Sequence, residues 1–221
     1  MVDGAGAQTA YNRMRPPMLH RAIPVVCSLL ACAMLGSMSV VPLAAADRSP
    51  DKPAAPKNID ATPPLVPIPN ARVTKTGLLI GGQPTPEQLK AIHQAGYRLV
   101  VTLRTDAEPG DEGEQAAVER MGMKYVSIPV AGAKGLTEDN ARALDKALGE
   151  VDVLPAVVHC ATGERVSALL GLKAFVVDRL SASAAIDLAR SLGMKRLEAA
   201  LRERISEICK SDKSRNCQDA P

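Results

Sequence analysis

The sequence predicts an α/β fold, a mainly parallel central sheet flanked by helices. Three short apolar runs, Tyr97–Leu103, Tyr125–Val130 and Ala156–His159, alternate with segments of helical apolar spacing. Strands that alternate with helices pair in parallel through crossovers. Val100-Val101 and Val157-Val158 place apolar side chains on successive positions, as strands covered on both faces require.

Regular structure begins near Arg72. Val73–Lys75 and Leu78–Ile80 flank Thr76-Gly77 and predict a small hairpin, which the chain leaves sharply at Gly81-Gly82-Gln83. Thr85-Pro86-Glu87-Gln88 joins a capping hydroxyl to a proline at the first helical position and a glutamine three residues on, so a helix starts there. Leu89, Ile92 and Ala95 form its apolar face and Gly96 stops it. His93 has Tyr97 four residues on, so no ligand pair at helical spacing exists and no metal is expected. Strand Tyr97–Leu103 delivers Arg104-Thr105-Asp106 to its C-terminal end, ahead of the acidic loop Ala107–Gly113 with Glu108, Asp111 and Glu112. A helix over about Glu114–Met121, the strand Tyr125–Val130, a helix over Glu138–Leu148 capped by Thr137, and the strand Ala156–His159 follow. Helices over about Val166–Asp178, Ser183–Leu192 and Leu197–Cys209 close the chain.

Two segments of different composition precede this unit. Arg13, Arg15, His20 and Arg21 lead into the apolar run Ala22–Leu43, which ends in Ala44-Ala45-Ala46. A positive, an apolar and a small-residue region in that order predict a signal peptide over residues 1–46, and hence a periplasmic or secreted protein without stable membrane insertion after processing. Ala22–Leu43 is also long enough to span a bilayer, which makes a retained anchor the alternative. Lipid attachment at Cys32 is a third. Residues 47–70 contain Pro50, Pro53, Pro56, Pro63, Pro64, Pro67 and Pro69 and predict an extended linker. The folded domain is expected over 71–210, with a tail over 211–221.

Without residues 1–46 the chain keeps 24 of its 27 basic residues and 23 of its 24 acidic ones. So even a balance gives no reason to expect a nucleic-acid or membrane-surface partner. Cys160, Cys209 and Cys217 remain. In an oxidising compartment Cys209 and Cys217 form a local disulfide, and Cys160 is left as the odd thiol.

Cys160 lies in the stretch AVVHCATGERVSA, Ala156–Ala168. A cysteine at the end of a buried strand, followed by a glycine turn into a helix, sits where backbone N–H groups converge and the helix dipole favours an anion. Such a place stabilises a thiolate and binds an oxyanion. Arg165 adds a planar fork of donors suited to phosphate or sulfate oxygens. In α/β folds ligands sit beyond the carboxyl ends of the strands, where both Cys160 and the Arg104–Glu112 loop lie.

The order GGQPTPEQL, VVTLRTD, Gly-Met-Lys-Tyr-Val-Ser-Ile-Pro-Val and VVHCATGERVSALL resembles the bacterial beta-lactamase-hydrolase-like phosphatase domain family, a branch of the cysteine-dependent dual-specificity phosphatase superfamily. The likeness spans about Arg72–Arg202. It implies a cysteine-phosphatase-like fold and a hydrolase acting on a phosphomonoester without a cofactor. Carried over position by position, it makes Cys160 the nucleophile of a phosphocysteine intermediate and Arg165 the clamp on the phosphoryl oxygens. Ala161, Thr162, Gly163 and Glu164 become the binding loop, and His159 the residue that orients it. A buried imidazole with a purely structural role is the other reading of His159.

Three features depart from the wider superfamily. Four residues separate Cys160 from Arg165 where five are usual, a spacing shared with this branch and with rhodanese-like sulfurtransferases. Ala131-Gly132 stands where a general-acid Asp usually follows the Ile-Pro-Val strand. An acid placed there is worth on the order of 10²–10⁴ in rate. Asp106, Glu108, Asp111 and Glu112 are the available substitutes, and Asp106 is favoured as the nearest to a strand end. Val166 replaces the usual hydroxyl residue after the arginine, with Ser167 one place on. Two further readings stay open: a sulfurtransferase that carries a persulfide on Cys160, and a non-catalytic oxyanion-binding module. The partner in each case is a small phosphorylated or sulfur-containing molecule. With Tyr97, Tyr125 and Phe175 as the domain's aromatic residues, a deep slot for phosphotyrosine is not expected.

Overall fold

The structure is a computed structural model that describes residues 64–110, 112–149 and 155–217. The expected signal peptide over 1–46, most of the 47–70 linker, Asp111 and the end of the 211–221 tail lie outside the described residues. Five strands, β1 (Arg72–Val73), β2 (Leu79–Gly81), β3 (Leu99–Thr102), β4 (Lys124–Ser127) and β5 (Ala156–His159), form one sheet. Their order is β1-β2-β5-β3-β4. β1 and β2 are the antiparallel hairpin, and every other pairing is parallel.

The register matters for function. Gly81 of β2 and Thr102 of β3 both pair with His159 of β5, so three strands end level with one another. Whatever follows those strands is delivered to one edge: Gly82-Gln83, Cys160 and Leu103-Arg104.

Among the described residues six helices flank the sheet: α1 (Pro86–Gln94), α2 (Glu114–Arg120), α3 (Glu138–Leu148), α4 (Glu164–Val176), α5 (Ala182–Ser191) and α6 (Glu198–Ser211). A single-turn 3-10 helix, Gly132–Gly135, precedes α3. α1 starts as its sequence requires: Thr85 accepts from the Gln88 backbone, Gln88 Oε1 accepts from the Thr85 N–H at 2.8 Å, and Pro86 needs no partner.

The alternation of side chains along β5 divides the interior into two cores. Val157 faces Leu79, Leu89, Ile92, Tyr97, Val100 and Val118 on the α1/α2 side. Ala156, Val158 and Cys160 face α3 to α6. α4 is apolar almost all round, with Val166, Leu169, Leu172 and Phe175 essentially inaccessible, because it lies between the sheet and the other helices of that layer. Each such side chain contributes about 1.5–3 kcal/mol by leaving water.

The linker expectation is corrected at its end. Val66 and Ile68 are buried in the α1/α2 core, and Gln88 Nε2 donates to the Pro67 carbonyl at 2.7 Å, so the fold begins before residue 71. Prolines suit this path, since the segment adds no strand and its alternate apolar residues still reach the core. At the other end Cys209 and Cys217 are disulfide-bonded. Arg215, between them in sequence, donates to the Val176 carbonyl at 2.6 Å and pairs with Asp212 and Glu138. Among the described residues no helix is long and apolar enough to cross a membrane.

Candidate active site

Cys160 is the first residue after β5 and is completely buried. Its N–H donates to the Gly81 carbonyl at 3.2 Å, which continues the β2–β5 ladder by one rung. The chain then turns through Ala161-Thr162-Gly163 into α4, so the thiol stands at that helix's N-terminus. The Gly163 N–H donates to Cys160 Sγ at 3.0 Å. That donor is one of those a helix start leaves unused, and it stabilises negative charge on sulfur.

The turn needs Gly163. Its φ of 91° lies in the left-handed region, and a Cβ there would stand 3.2 Å from the Gly81 carbonyl carbon. The loop is braced from the hairpin side as well. Gln83 N–H donates to the Ala161 carbonyl at 3.3 Å, and Asn70 Nδ2 donates to the Thr162 carbonyl at 3.0 Å. These bonds hold the Ala161 and Thr162 carbonyls away from the thiol, to which the Gly163 N–H donates.

Arg165, on the first turn of α4, reaches across the strand ends. Nη1 donates to the carbonyls of Leu103 at 3.1 Å and Val130 at 3.0 Å, which fixes the plane of the guanidinium. Nη1 and Nη2 also donate to the two carboxylate oxygens of Glu108, each at 2.6 Å. This is a bidentate, charge-assisted pair of the geometry that a guanidinium offers a phosphate. Hydrogen bonding to Glu108 raises the already high pKa of Arg165, against the effect of burial, and the neighbouring Cys160 side chain adds to it. The same pair holds Glu108 at about 2, against an ordinary 4.5. Glu108 is itself aimed by Thr105, whose N–H and Oγ1 both donate to Oε1, at 2.9 and 3.2 Å.

Asp106, the favoured acid on sequence grounds, is not in the site. Its side chain is exposed on the loop, and the carboxylate that faces Arg165 belongs to Glu108. Proximity to a strand end misled, because the turn at Thr105–Glu108, closed by a 3.0 Å backbone bond, points the fourth residue inward and the second outward. Glu112 bonds back to the Gly110 N–H, away from the site, and Asp111 lies outside the described residues.

The carboxylate of Glu164 also leaves the anion site. It accepts from the backbone N–H groups of Lys195 at 3.1 Å, Arg196 and Leu197 at 2.9 Å, and from Arg196 Nε at 3.0 Å. Burial would raise its pKa, but these donors outweigh that and hold it below the usual carboxylate range. Only its backbone belongs to the loop. Ser167 is likewise unavailable, since Oγ donates to the carbonyls of Gly163 and Leu192.

His159 points to the other face of the sheet from Cys160. Its Nε2 lies 3.3 Å from Glu114 Oε1, and among the described residues neither ring nitrogen makes a hydrogen bond. Glu114 is buried at the start of α2 and accepts from Gln83 Nε2 at 2.9 Å and Tyr125 OH at 3.4 Å. His159 thus makes no bond to Cys160 and lies against this buried carboxyl group instead. The link through Gln83, which also braces Ala161, carries no sequence signal beyond the GGQP run.

A cavity of about 390 Å³ opens over this arrangement, lined by Glu108, Ala131, Gly132, Ala161, Thr162 and Arg165 among others. The Ala131-Gly132 lip offers no titratable group; of the two carboxylates in the lining, Glu164 is held by residues 195–197 and Glu108 faces Arg165.

Residues 71–176 match the family described as beta-lactamase hydrolase-like protein, phosphatase-like domain. Beta-lactamase hydrolase-like proteins of two Xylella fastidiosa strains, Temecula1 and 9a5c, are each 34% identical over 107 residues, 47% of this chain and 24% of theirs. The chain thus spans about a quarter of the length of these curated relatives. A solved structure of a protein assigned as a phosphatase, from Shewanella putrefaciens CN-32, superposes with a TM-score of 0.51 at 22% identity, covering 65% of this chain and 91% of that one. That likeness is one of fold.

Proposed function

From the premise that residues 71–176 carry the phosphatase-like domain of beta-lactamase hydrolase-like proteins, we propose that this chain is a cysteine-dependent hydrolase of phosphomonoesters. The observation that supports it most directly is the meeting of a thiol, a guanidinium and a carboxylate at one helix N-terminus: Cys160, Arg165 and Glu108. In the proposed reaction Cys160 Sγ attacks phosphorus while the bond to the leaving oxygen breaks. Charge on the phosphoryl oxygens meets Arg165 and the amides of Ala161–Arg165.

An incoming phosphate takes the place of the Glu108 carboxylate on Arg165. Freed from the guanidinium and set beside an anion, Glu108 binds a proton more readily and gives it to the leaving oxygen. Water then attacks the phosphocysteine, Glu108 takes its proton, and the P–S bond breaks to return thiolate and phosphate. Splitting the displacement in two lets one site serve both halves.

The test is hydrolysis of p-nitrophenyl phosphate by the reduced chain, with intact-mass detection of a phosphate adduct on Cys160. Turnover that survives Cys160→Ser would falsify the mechanism. A single-sulfur adduct from thiosulfate without ester turnover supports the persulfide reading instead, and phosphate protection without turnover the binding-module reading.

The export reading belongs to the same proposal. The charged, apolar and small-residue order of residues 1–46 supports it, as does the Cys209–Cys217 disulfide, a bond that persists in oxidising compartments. N-terminal sequencing of the protein recovered from cells tests it, with Asp47 as the expected first residue. An intact Met1 at the membrane favours the retained anchor.

A further inference from the structure

A second cavity, of about 350 Å³, lies beside the first, on the other side of the catalytic loop. The two share Thr162, Glu164 and Arg196 as a common wall. Its own lining adds Arg72, Lys195 and Gly193 over a floor that includes Ile80 and Leu192.

The charge count in this cavity is uneven. Glu164 is its acidic residue, and four donors from the Lys195–Leu197 segment already engage that carboxylate. Arg196 is spent on that pair through Nε. Arg72 and Lys195 have no ion pair or side-chain hydrogen bond among the described residues. Two positive charges are therefore uncompensated at the mouth of a concave, partly polar pocket, where they raise the local concentration of anions.

The backbone shapes the place for one of them. Gly193 ends α5 with φ of 103°, and a Cβ there would stand 3.0 Å from Arg72 Nε and 3.2 Å from Nη2. The guanidinium, though exposed, thus lies against a position that a side chain would fill, at the cavity's rim.

We propose that this cavity is a second anion subsite, and that the substrate is a small molecule with two phosphate groups, one on Arg165 and Cys160 and the other between Arg72 and Lys195. The substrate part rests on the phosphatase reading given above; the anion subsite does not. Thr162 and Gly163, whose backbone separates the two cavities, set the span that such a substrate bridges. A monophosphate binds the catalytic loop alone and forgoes the second contact.

The test uses the full chain and two readouts. Alkanediol bisphosphates of increasing length are compared with the matching alkyl monophosphates, in the wild type and in an Arg72→Ala, Lys195→Ala double variant. At the best length the bisphosphate exceeds the monophosphate in kcat/KM by about tenfold or more. The double variant brings that ratio near one, while p-nitrophenyl phosphate turnover stays within about twofold. Equal rates at every length, or a ratio the double variant leaves unchanged, overturn the substrate assignment.

Calorimetric titration with inorganic phosphate separates the two readings. Two sites per wild-type chain, one in the double variant and one in Arg165→Ala, support the subsite even if no ester is hydrolysed. One site in the wild type overturns it even if esters are hydrolysed. A thermal melt of the double variant within a few degrees of the wild type accompanies either result, since neither side chain supports another group.

Discussion

Replacing Glu108 by Gln separates binding from turnover. The carboxylate engages Nη1 and Nη2 of Arg165 with bonds of 2.6 Å, so on the proposed reaction a phosphate must displace it. The Glu108 side chain keeps 27% of its exposure, so solvent screens the pair, and the full shift from 4.5 to about 2 overstates its worth. Discounted for that screening, the pair is worth on the order of 1–2 kcal/mol. A glutamine keeps the shape but gives up the charge, so Glu108→Gln should bind inorganic phosphate about five- to thirtyfold more tightly. Turnover should move the other way. Without a proton donor the kcat for an alkyl phosphate falls by about 10²–10³, while an aryl phosphate, whose leaving oxygen needs little protonation, is much less affected. Calorimetry with phosphate and steady-state kinetics on the ester pair check both halves. Phosphate affinity that is unchanged or weaker in Glu108→Gln refutes the displacement argument. Equal losses on both esters refute the acid role.

The same carboxylate gives a pH signature. Its pKa is lowered by folding, so its stabilisation is present above about 4.5 and is lost as pH falls toward about 2. The difference in melting temperature between wild type and Glu108→Gln should narrow across that window. Gly163→Ala forces a left-handed φ on a residue with a Cβ and pushes it toward Gly81; a loss of about 1–2 kcal/mol in denaturant unfolding is expected, with lower turnover. Glu164→Gln leaves the donors of Lys195–Leu197 partly unmet and should cost about 1–3 kcal/mol, read as a lower denaturation midpoint. Cys209→Ser removes the cross-link of the C-terminal segment and should cost about 2–3 kcal/mol, a difference that vanishes when both proteins are measured reduced.

The sheet was legible because its strands are short apolar runs punctuated by glycine and capping residues, signals that sit within a few positions of what they determine. Thr85 and Gln88 announce α1 from three residues apart. The site was legible to the same extent: Cys160, the turn glycine and Arg165 lie within one strand–turn–helix unit. What failed depends on contacts between distant segments. Glu108 and Asp106 are interchangeable by composition, and only the turn set by Thr105 decides which faces Arg165, 57 residues away in sequence. Glu164 looked awkward in an anion-binding loop because its donors lie 31 to 33 residues downstream. Val66 and Ile68 were hidden by their prolines, which mark an absence of regular structure but say nothing about burial.

The engagement of Glu164 with residues 195–197 also bears on where this domain can be cut. The segment that matches the family stops at residue 176, the last residue of α4. A chain ending there would keep Cys160, Arg165 and Glu108, yet strand the Glu164 carboxylate one residue from the arginine without the donors of residues 195–197. Leu192, which receives Ser167, and Arg215, which caps the last turn of α4, would be gone as well. By these contacts the folded unit extends through α6 to the disulfide. The part that can be recognised and the part that can fold have different ends.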